Sequence, residues 1–199
     1  MNNFLFPFDS KVTYEQRKLL FMQEPRLIWL TGLSGSGKTT LALRLENYLF
    51  NKGYKVFILD GDNIRKGLNK DLGFTEQDRK ENLRRIGEVA KLMMDAGLII
   101  ISAFISPYEQ DRMFIKNIVD DRFIEVHVNC PVGVCEQRDI KGLYAKARKG
   151  IIPDFTGVSA PYEIPLSPDV EVNTNEETIE ESLDKIINFV ESQIRIGNE

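Results

Sequence analysis

The amino-acid sequence predicts one α/β domain: a five-stranded parallel sheet with helices on both faces. Five short apolar runs, Leu27 to Leu30, Val56 to Leu59, Leu98 to Ile101, Phe123 to Val128 and Val170 to Val172, alternate with helical patterns. That alternation is the mark of parallel strands joined by crossover helices. The loop Gly32-Leu33-Ser34-Gly35-Ser36-Gly37-Lys38-Thr39 has the form G-x-x-x-x-G-K-[ST] between the first run and the helix-like stretch Thr40 to Phe50. Length agrees, since 199 residues with 42% hydrophobic content suit one core and leave no room for a second full domain.

Residues 1–25 read as an N-terminal extension packing on the domain that occupies 26–199. Its apolar stretch Phe4-Leu5-Phe6-Pro7-Phe8 is short, lacks a basic flank and is broken by Pro7, so it is expected to be neither a signal sequence nor a membrane span. It is expected to pack on the domain or on a partner subunit.

The glycine-rich loop follows the first strand and defines the fold class as a P-loop NTPase. Backbone N–H groups must turn inward on a phosphate, with torsions that side chains disfavour, and the following helix N-terminus adds partial positive charge. Lys38 is then the residue for the β- and γ-phosphates of a nucleoside triphosphate and Thr39 for Mg²⁺. Gly53 ends the first crossover helix. The second strand ends in Leu59-Asp60-Gly61-Asp62-Asn63, which places two carboxylates at the C-terminal edge of the sheet, where α/β sites form. One can serve Mg²⁺ and the other orient or deprotonate a hydroxyl.

A helix predicted from about Thr75 to Ala96, closed by Gly97, carries the stripe Leu83, Ile86, Ala90, Met93, with Arg79 and Asn82 near its start. Arg65 and Arg79 suit an anionic acceptor, because guanidinium forks match phosphate and sulfate oxygens. Arg84 and Arg85 read as well as solvated charges. Between the fourth and fifth strands the stretch from Arg138-Asp139-Ile140-Lys141-Gly142-Leu143-Tyr144 to Gly150 is basic in an otherwise acidic chain and is followed by Phe155-Thr156-Gly157. It reads as a lid, at about 139 to 164, closing on phosphates. Phe74 and Phe155 can stack on a base. The last helix, Ile179 to Ile194, shows the core stripe Ile179, Leu183, Ile186, Ile187, Val190.

A net charge of −4 argues against nucleic-acid or anionic membrane partners, which want a basic face. The two cysteines, Cys130 and Cys135, are expected to be reduced thiols in the cytoplasm.

Together these segments resemble the adenylylsulfate kinase family from about Leu30 to Thr174. The resemblance is carried by the phosphate loop, Leu59-Asp60-Gly61-Asp62-Asn63-Ile64-Arg65, Asp71-Leu72-Gly73-Phe74, Asp78-Arg79 with Glu81-Asn82-Leu83-Arg84-Arg85-Ile86, Phe104-Ile105-Ser106-Pro107-Tyr108, and Lys141-Gly142-Leu143-Tyr144 with Phe155-Thr156-Gly157. It implies transfer of the ATP γ-phosphate to the 3′-hydroxyl of adenosine 5′-phosphosulfate, giving 3′-phosphoadenylyl sulfate and ADP, in a homodimer.

The resemblance implies that the donor is held by Gly32 to Thr39, Thr40 and Arg138, and the metal by Thr39 and Asp60. It places Asp62, Arg65, Phe74, Arg79, Asn82, Ile105, Ser106, Lys141, Leu143 and Phe155 around the acceptor, with Phe74 and Phe155 sandwiching its adenine. Lys38, Asp62 and Ser106 are the expected catalytic set. Ser106 matches a serine described in the family as a phosphoserine intermediate, although a P-loop arrangement favours direct in-line transfer.

Two departures fall at Ala103, where the family commonly has serine, and at Ile151-Ile152-Pro153-Asp154, where it often has lysine and glycine. The sulfurylase domain fused to this kinase in some organisms is absent here, so a separate enzyme is expected to supply the substrate.

Two alternatives stay open. A kinase of another nucleotide 3′-hydroxyl, such as a nucleoside diphosphoramidate, would share the phosphate and ribose contacts. A GTP-binding switch would share the loop, but Asn69-Lys70-Asp71 and Asp154-Phe155-Thr156-Gly157 only approximate its guanine and switch motifs.

Overall fold

Parallel pairing orders the sheet β2-β3-β1-β4-β5 in a computed structural model that describes residues 10–196. In chain order the elements are α1 (Tyr14–Phe21), β1 (Leu27–Thr31), α2 (Lys38–Asn51), β2 (Val56–Asp60), α3 (Gly61–Lys66), α4 (Glu76–Asp95), β3 (Ile99–Ala103), α5 (Glu109–Val119), β4 (Phe123–Asn129), α6 (Val132–Arg138), α7 (Leu143–Arg148), β5 (Val170–Asn173) and α8 (Ile179–Ile194). All five expected strands form. Central β1 is buried along its whole length, as a strand covered on both faces must be.

From β1 the chain crosses toward β2, whereas from β3 it crosses to β4, so the order reverses beside β1. A crevice opens at the C-terminal ends of strands at such a switch point. The phosphate loop issues from it.

Each face has its own core. Ile28, Leu30, Ile99, Ile101, Val126 and Val172 pack with Leu41 and Leu45 of α2 and Ile186 and Val190 of α8. On the other face Leu27, Trp29 and Ile100 meet Leu83, Ile86, Ala90 and Met94 of α4 and Ile115 of α5. Two core expectations need correction. In α4 the fully buried methionine is Met94, four residues after Ala90, and Met93 is only half-buried because the stripe drifts around the helix. Ile179, the first residue of α8, is 41% exposed.

A third, smaller cluster joins Cys130, Cys135, Tyr144, Ala147 and Phe155 to Leu33 of the phosphate loop. Cys130 and Cys135 are free and buried.

The expected packing of Phe4 to Phe8 lies outside the described residues. After them, Thr13 caps α1 in a capping box, and the chain then crosses the end of the sheet remote from the phosphate loop. There the buried Gln23 side chain donates Nε2 to the carbonyls of Lys55 (3.0 Å) and Gly97 (2.9 Å), while its Oε1 accepts from the Lys55 N–H at 2.7 Å. Among the described residues, no helix is long and apolar enough to cross a membrane.

Candidate active site

The phosphate loop has the shape its glycines predict. A Cβ on Gly32 would stand 2.5 Å from the Val128 carbonyl oxygen, and Gly35 adopts φ +79° with its Cβ direction 2.9 Å from the Cys135 oxygen. No side chain fits at either place. Gly37 caps α2 without a side-chain hydrogen bond, which leaves the first helical N–H groups to an anion. Thr39 and Thr40 are exposed on that first turn.

Lys38 is buried, and its Nζ donates to the carbonyls of Gly32 (2.8 Å) and Leu33 (2.6 Å). Burial pulls its pKa down to about 8, against a small opposing effect from Cys135. Two carbonyl dipoles do not replace the water that a buried ammonium loses, so this cation has an unmet need that phosphate oxygens can meet.

Arg138 lies at the end of α6, its Nη2 donating to the Thr174 carbonyl at 2.6 Å and its Nη1 to the Gly35 carbonyl at 3.4 Å. The Thr174 hydroxyl donates to the Ser36 carbonyl at 2.8 Å. Thr174, just past β5, was not among the expected residues. A single threonine after a short strand carries no spacing signal.

The two carboxylates after β2 are placed differently. Asp60 caps α3, its Oδ1 accepting from the N–H groups of Asp62 (3.0 Å) and Asn63 (3.3 Å). Asp62 is exposed and accepts from Lys141 Nζ, in the segment between β4 and β5, at 2.6 Å.

Next to them Arg79 ties two segments together. Its Nε donates to the Phe74 carbonyl (2.9 Å) and its Nη2 to the Asp154 carbonyl (3.0 Å), so one guanidinium joins Phe74 to the residue just before Phe155. Arg65 donates to the Gly73 carbonyl at 2.8 Å and lies over the Phe74 ring at 4.5 Å. Burial, and then the neighbouring Arg79, lower its pKa. Neither guanidinium is within salt-bridge distance of a carboxylate among the described residues, whereas Arg84 and Arg85 are paired with Glu81, and Arg85 also with Asp71. Asn82 is buried and its Oδ1 accepts from Asn69 Nδ2 at 3.0 Å, leaving its own amide donors free to face a ligand.

The expected aromatic pair is unequal. Phe155 is buried, edge-on to fully buried Tyr144 at 5.0 Å, but Phe74 is 71% exposed. The base of the lid is likewise more fixed than its basic composition suggests. Tyr144 donates to the Ser34 carbonyl at 2.9 Å, Leu143 packs into the third cluster beside Leu33, and Arg148 pairs with Glu136.

Ser106 departs from its expected catalytic placement. It is buried at φ +37°, and its hydroxyl accepts from Trp29 Nε1 (3.0 Å) and donates to Thr31 Oγ1 (3.0 Å). A hydroxyl engaged on both sides inside the protein is not presented to a γ-phosphate. Ile105, one residue before, is half-buried, with its carbonyl accepting from Thr31.

The family model described as adenylylsulphate kinase matches residues 24–173. The adenylyl-sulfate kinase of Staphylococcus epidermidis is 54% identical over 183 residues, 92% of each chain. That of Geotalea daltonii is 56% identical over 168 residues, 84% of this chain and 83% of the relative. The Mycobacterium tuberculosis APS kinase CysC, solved in complex with AMPPNP and APS, superposes with a TM-score of 0.81 at 43% identity, covering 84% of this chain and 98% of that one. With a matching model over most of its length and close relatives that it covers nearly end to end, the chain belongs to the adenylylsulphate kinase family and is an ATP-dependent kinase.

Proposed function

We propose that ATP lies with its phosphates in the Gly32 to Thr39 loop and that adenosine 5′-phosphosulfate faces it, its 3′-hydroxyl directed at the γ-phosphate and its proton taken up or oriented by Asp62. Products are ADP and 3′-phosphoadenylyl sulfate. The observation that carries this is the contact of Lys141 with Asp62: it brings the lid to the carboxylate at the C-terminal edge of the sheet, beside the unpaired Arg65 and Arg79 and the amide of Asn82.

In this reading Lys38 stabilises charge on the transferring phosphoryl group, which is where P-loop kinases obtain their rate. Arg65, Arg79 and Lys141 neutralise the phosphosulfate, and Phe155 is the preset floor on which the adenine rests while Phe74 closes over it. Ser106 acts through position, not covalently. Leu143 contributes packing to the lid. Arg138 lies over the end of the phosphate loop, where the donor nucleotide's base would reach it.

Mg²⁺ fits the donor set. Thr39 offers an exposed hydroxyl on the first turn of α2, and Asp60 retains Oδ2 after its Oδ1 caps α3. Two oxygens suffice for a cation that keeps waters and takes the rest of its shell from the nucleotide. Bound there, it would neutralise charge on the β- and γ-phosphates. A homodimer in the cytoplasm accompanies this reading, the compartment supported by two free buried thiols.

The test is an acceptor panel of adenylyl sulfate, other nucleotide 5′-conjugates and small alcohols with ATP and Mg²⁺, followed by ADP release. Adenylyl sulfate is expected to be preferred. Preference for a cytidine conjugate would overturn the acceptor assignment, and light scattering of the same sample reads the subunit number.

A further inference from the structure

Thr31 is the last residue of β1, one position before the phosphate loop. Its hydroxyl donates to the Ile105 carbonyl at 2.7 Å and lies 3.0 Å from both Ser106 Oγ and the Tyr162 hydroxyl. A threonine hydroxyl has one proton and two lone pairs. The Trp29 indole N–H donates to Ser106 Oγ, which directs the Ser106 proton toward Thr31. With its own proton on Ile105, Thr31 must also accept from Tyr162. All three positions of one buried oxygen are filled, two by the adjacent residues Ile105 and Ser106 and one by Tyr162.

Those partners are the acceptor loop after β3 and the returning end of the lid. Ser106 holds a left-handed backbone that a non-glycine residue adopts only when its surroundings impose it. Buried Arg112, paired with Glu125 at 2.8 Å, adds a hydrogen bond to the Ser106 carbonyl at 2.9 Å. On the lid side, Tyr162 stacks on His127 with centroids 6.1 Å apart, the Glu163 N–H donates to the Pro107 carbonyl at 2.8 Å, and its carboxylate accepts from the Glu109 N–H at 2.7 Å.

We propose that Thr31 is a positioning residue for phosphate transfer: its hydroxyl sets the acceptor loop and the lid's returning end against the start of the donor loop. It touches neither nucleotide. This rests on the acceptor reading given above, because the loop it holds is the one that would carry the acceptor. An error of about 1 Å between reacting groups is enough to cost on the order of a hundredfold in rate, so a small loss of register here is visible in turnover.

The experiment uses the full chain with Thr31→Val, Thr31→Ser and Tyr162→Phe. Three readouts are taken: kcat and KM for adenylyl sulfate, Kd for ATP, and amide hydrogen exchange of the ligand-free protein. Thr31→Val, equal in shape but without the hydroxyl, is expected to lower kcat/KM for the acceptor about tenfold or more, the size of one or two lost hydrogen bonds. ATP affinity is expected to stay within about twofold, and Thr31→Ser to recover most of the loss. Exchange of the Phe104 and Glu163 amides is expected to quicken about tenfold in Thr31→Val.

Wild-type acceptor kinetics in a folded Thr31→Val protein would overturn the proposal. So would equal losses for both nucleotides without recovery in serine, since that pattern is general destabilisation. If the valine protein does not fold, Tyr162→Phe decides: a raised acceptor KM with faster Glu163 exchange supports the proposal, and wild-type values sink it. A wild-type chain inactive on adenylyl sulfate would overturn the acceptor assignment alone, because the exchange measurement still reports on Thr31 without any substrate.

Discussion

Lys141 Nζ stands 2.6 Å from Asp62 Oδ2, so the lid reaches the carboxylate that α3 has not used for its cap. Both side chains are well exposed, and an exposed pair adds little to stability. Its value lies in what it places together: a candidate base and a cation able to follow an anionic acceptor.

Asp62→Asn is accordingly expected to lower kcat by on the order of 10²–10⁴ with a small change in melting temperature. Lys141→Ala is expected to act chiefly on the acceptor's KM. Steady-state kinetics at saturating ATP separate the two, and wild-type turnover in the asparagine protein would remove Asp62 from the mechanism.

Lys38 is expected to make ATP binding pH-dependent. Burial depresses its pKa to about 8, and phosphate oxygens raise it again in the complex, so binding takes up a proton above that pH. Affinity is expected to be level below pH 8 and to weaken as pH rises, by up to about tenfold per unit, until the pKa of the complex is reached. Isothermal titration of ATP from pH 7 to 9.5 in buffers of different ionisation enthalpy measures both the affinity and the proton. An affinity that did not fall above pH 8 would show that Lys38 is not the group that charges.

The two phenylalanines are expected to separate. Phe155→Ala removes a buried ring packed on Tyr144 and should cost roughly 3–5 kcal/mol of stability along with acceptor affinity. Phe74→Ala, at an exposed position, should change stability by less than about 0.5 kcal/mol while weakening acceptor binding by roughly 1–3 kcal/mol. Thermal melts and acceptor titrations on both proteins provide the comparison.

Gly32→Ala drives a methyl into the Val128 carbonyl, whereas Gly53 has φ +91° with open space around its Cβ direction. Gly32→Ala is expected to abolish ATP binding. Gly53→Ala should lower stability by roughly 1–2 kcal/mol, the strain of a left-handed alanine, and leave ATP binding intact.

The strands and the loop were legible because their signals are local. Leu27 to Leu30 is an unbroken apolar run, and Gly32 to Thr39 is a fixed spacing. Asp60 and Asp62 could be seen as a pair, but which one caps α3 depends on where α3 begins, and Asp-Gly reads equally well as a turn. Ser106 was legible as a residue and not as a role, because its partners Trp29 and Thr31 lie more than seventy positions away. Phe155 looked like a free stacking ring for a different reason: Tyr144, which packs against it, sits in a segment whose basic composition masks its packing. Thr31, Tyr162 and Thr174 had no motif at all, being ordinary residues made important by the sheet that gathers them.

Gln23 has a consequence for how short the protein can be made. Its side chain supplies hydrogen bonds to Lys55 and Gly97, just ahead of β2 and β3, that another length of backbone would otherwise provide. A fragment begun at Arg26, just ahead of the first strand, would keep every residue proposed to contact a nucleotide and still leave the Lys55 N–H and the Gly97 carbonyl without these partners. The smallest stable kinase is therefore expected to start before its first motif, with the far end of the sheet setting that limit.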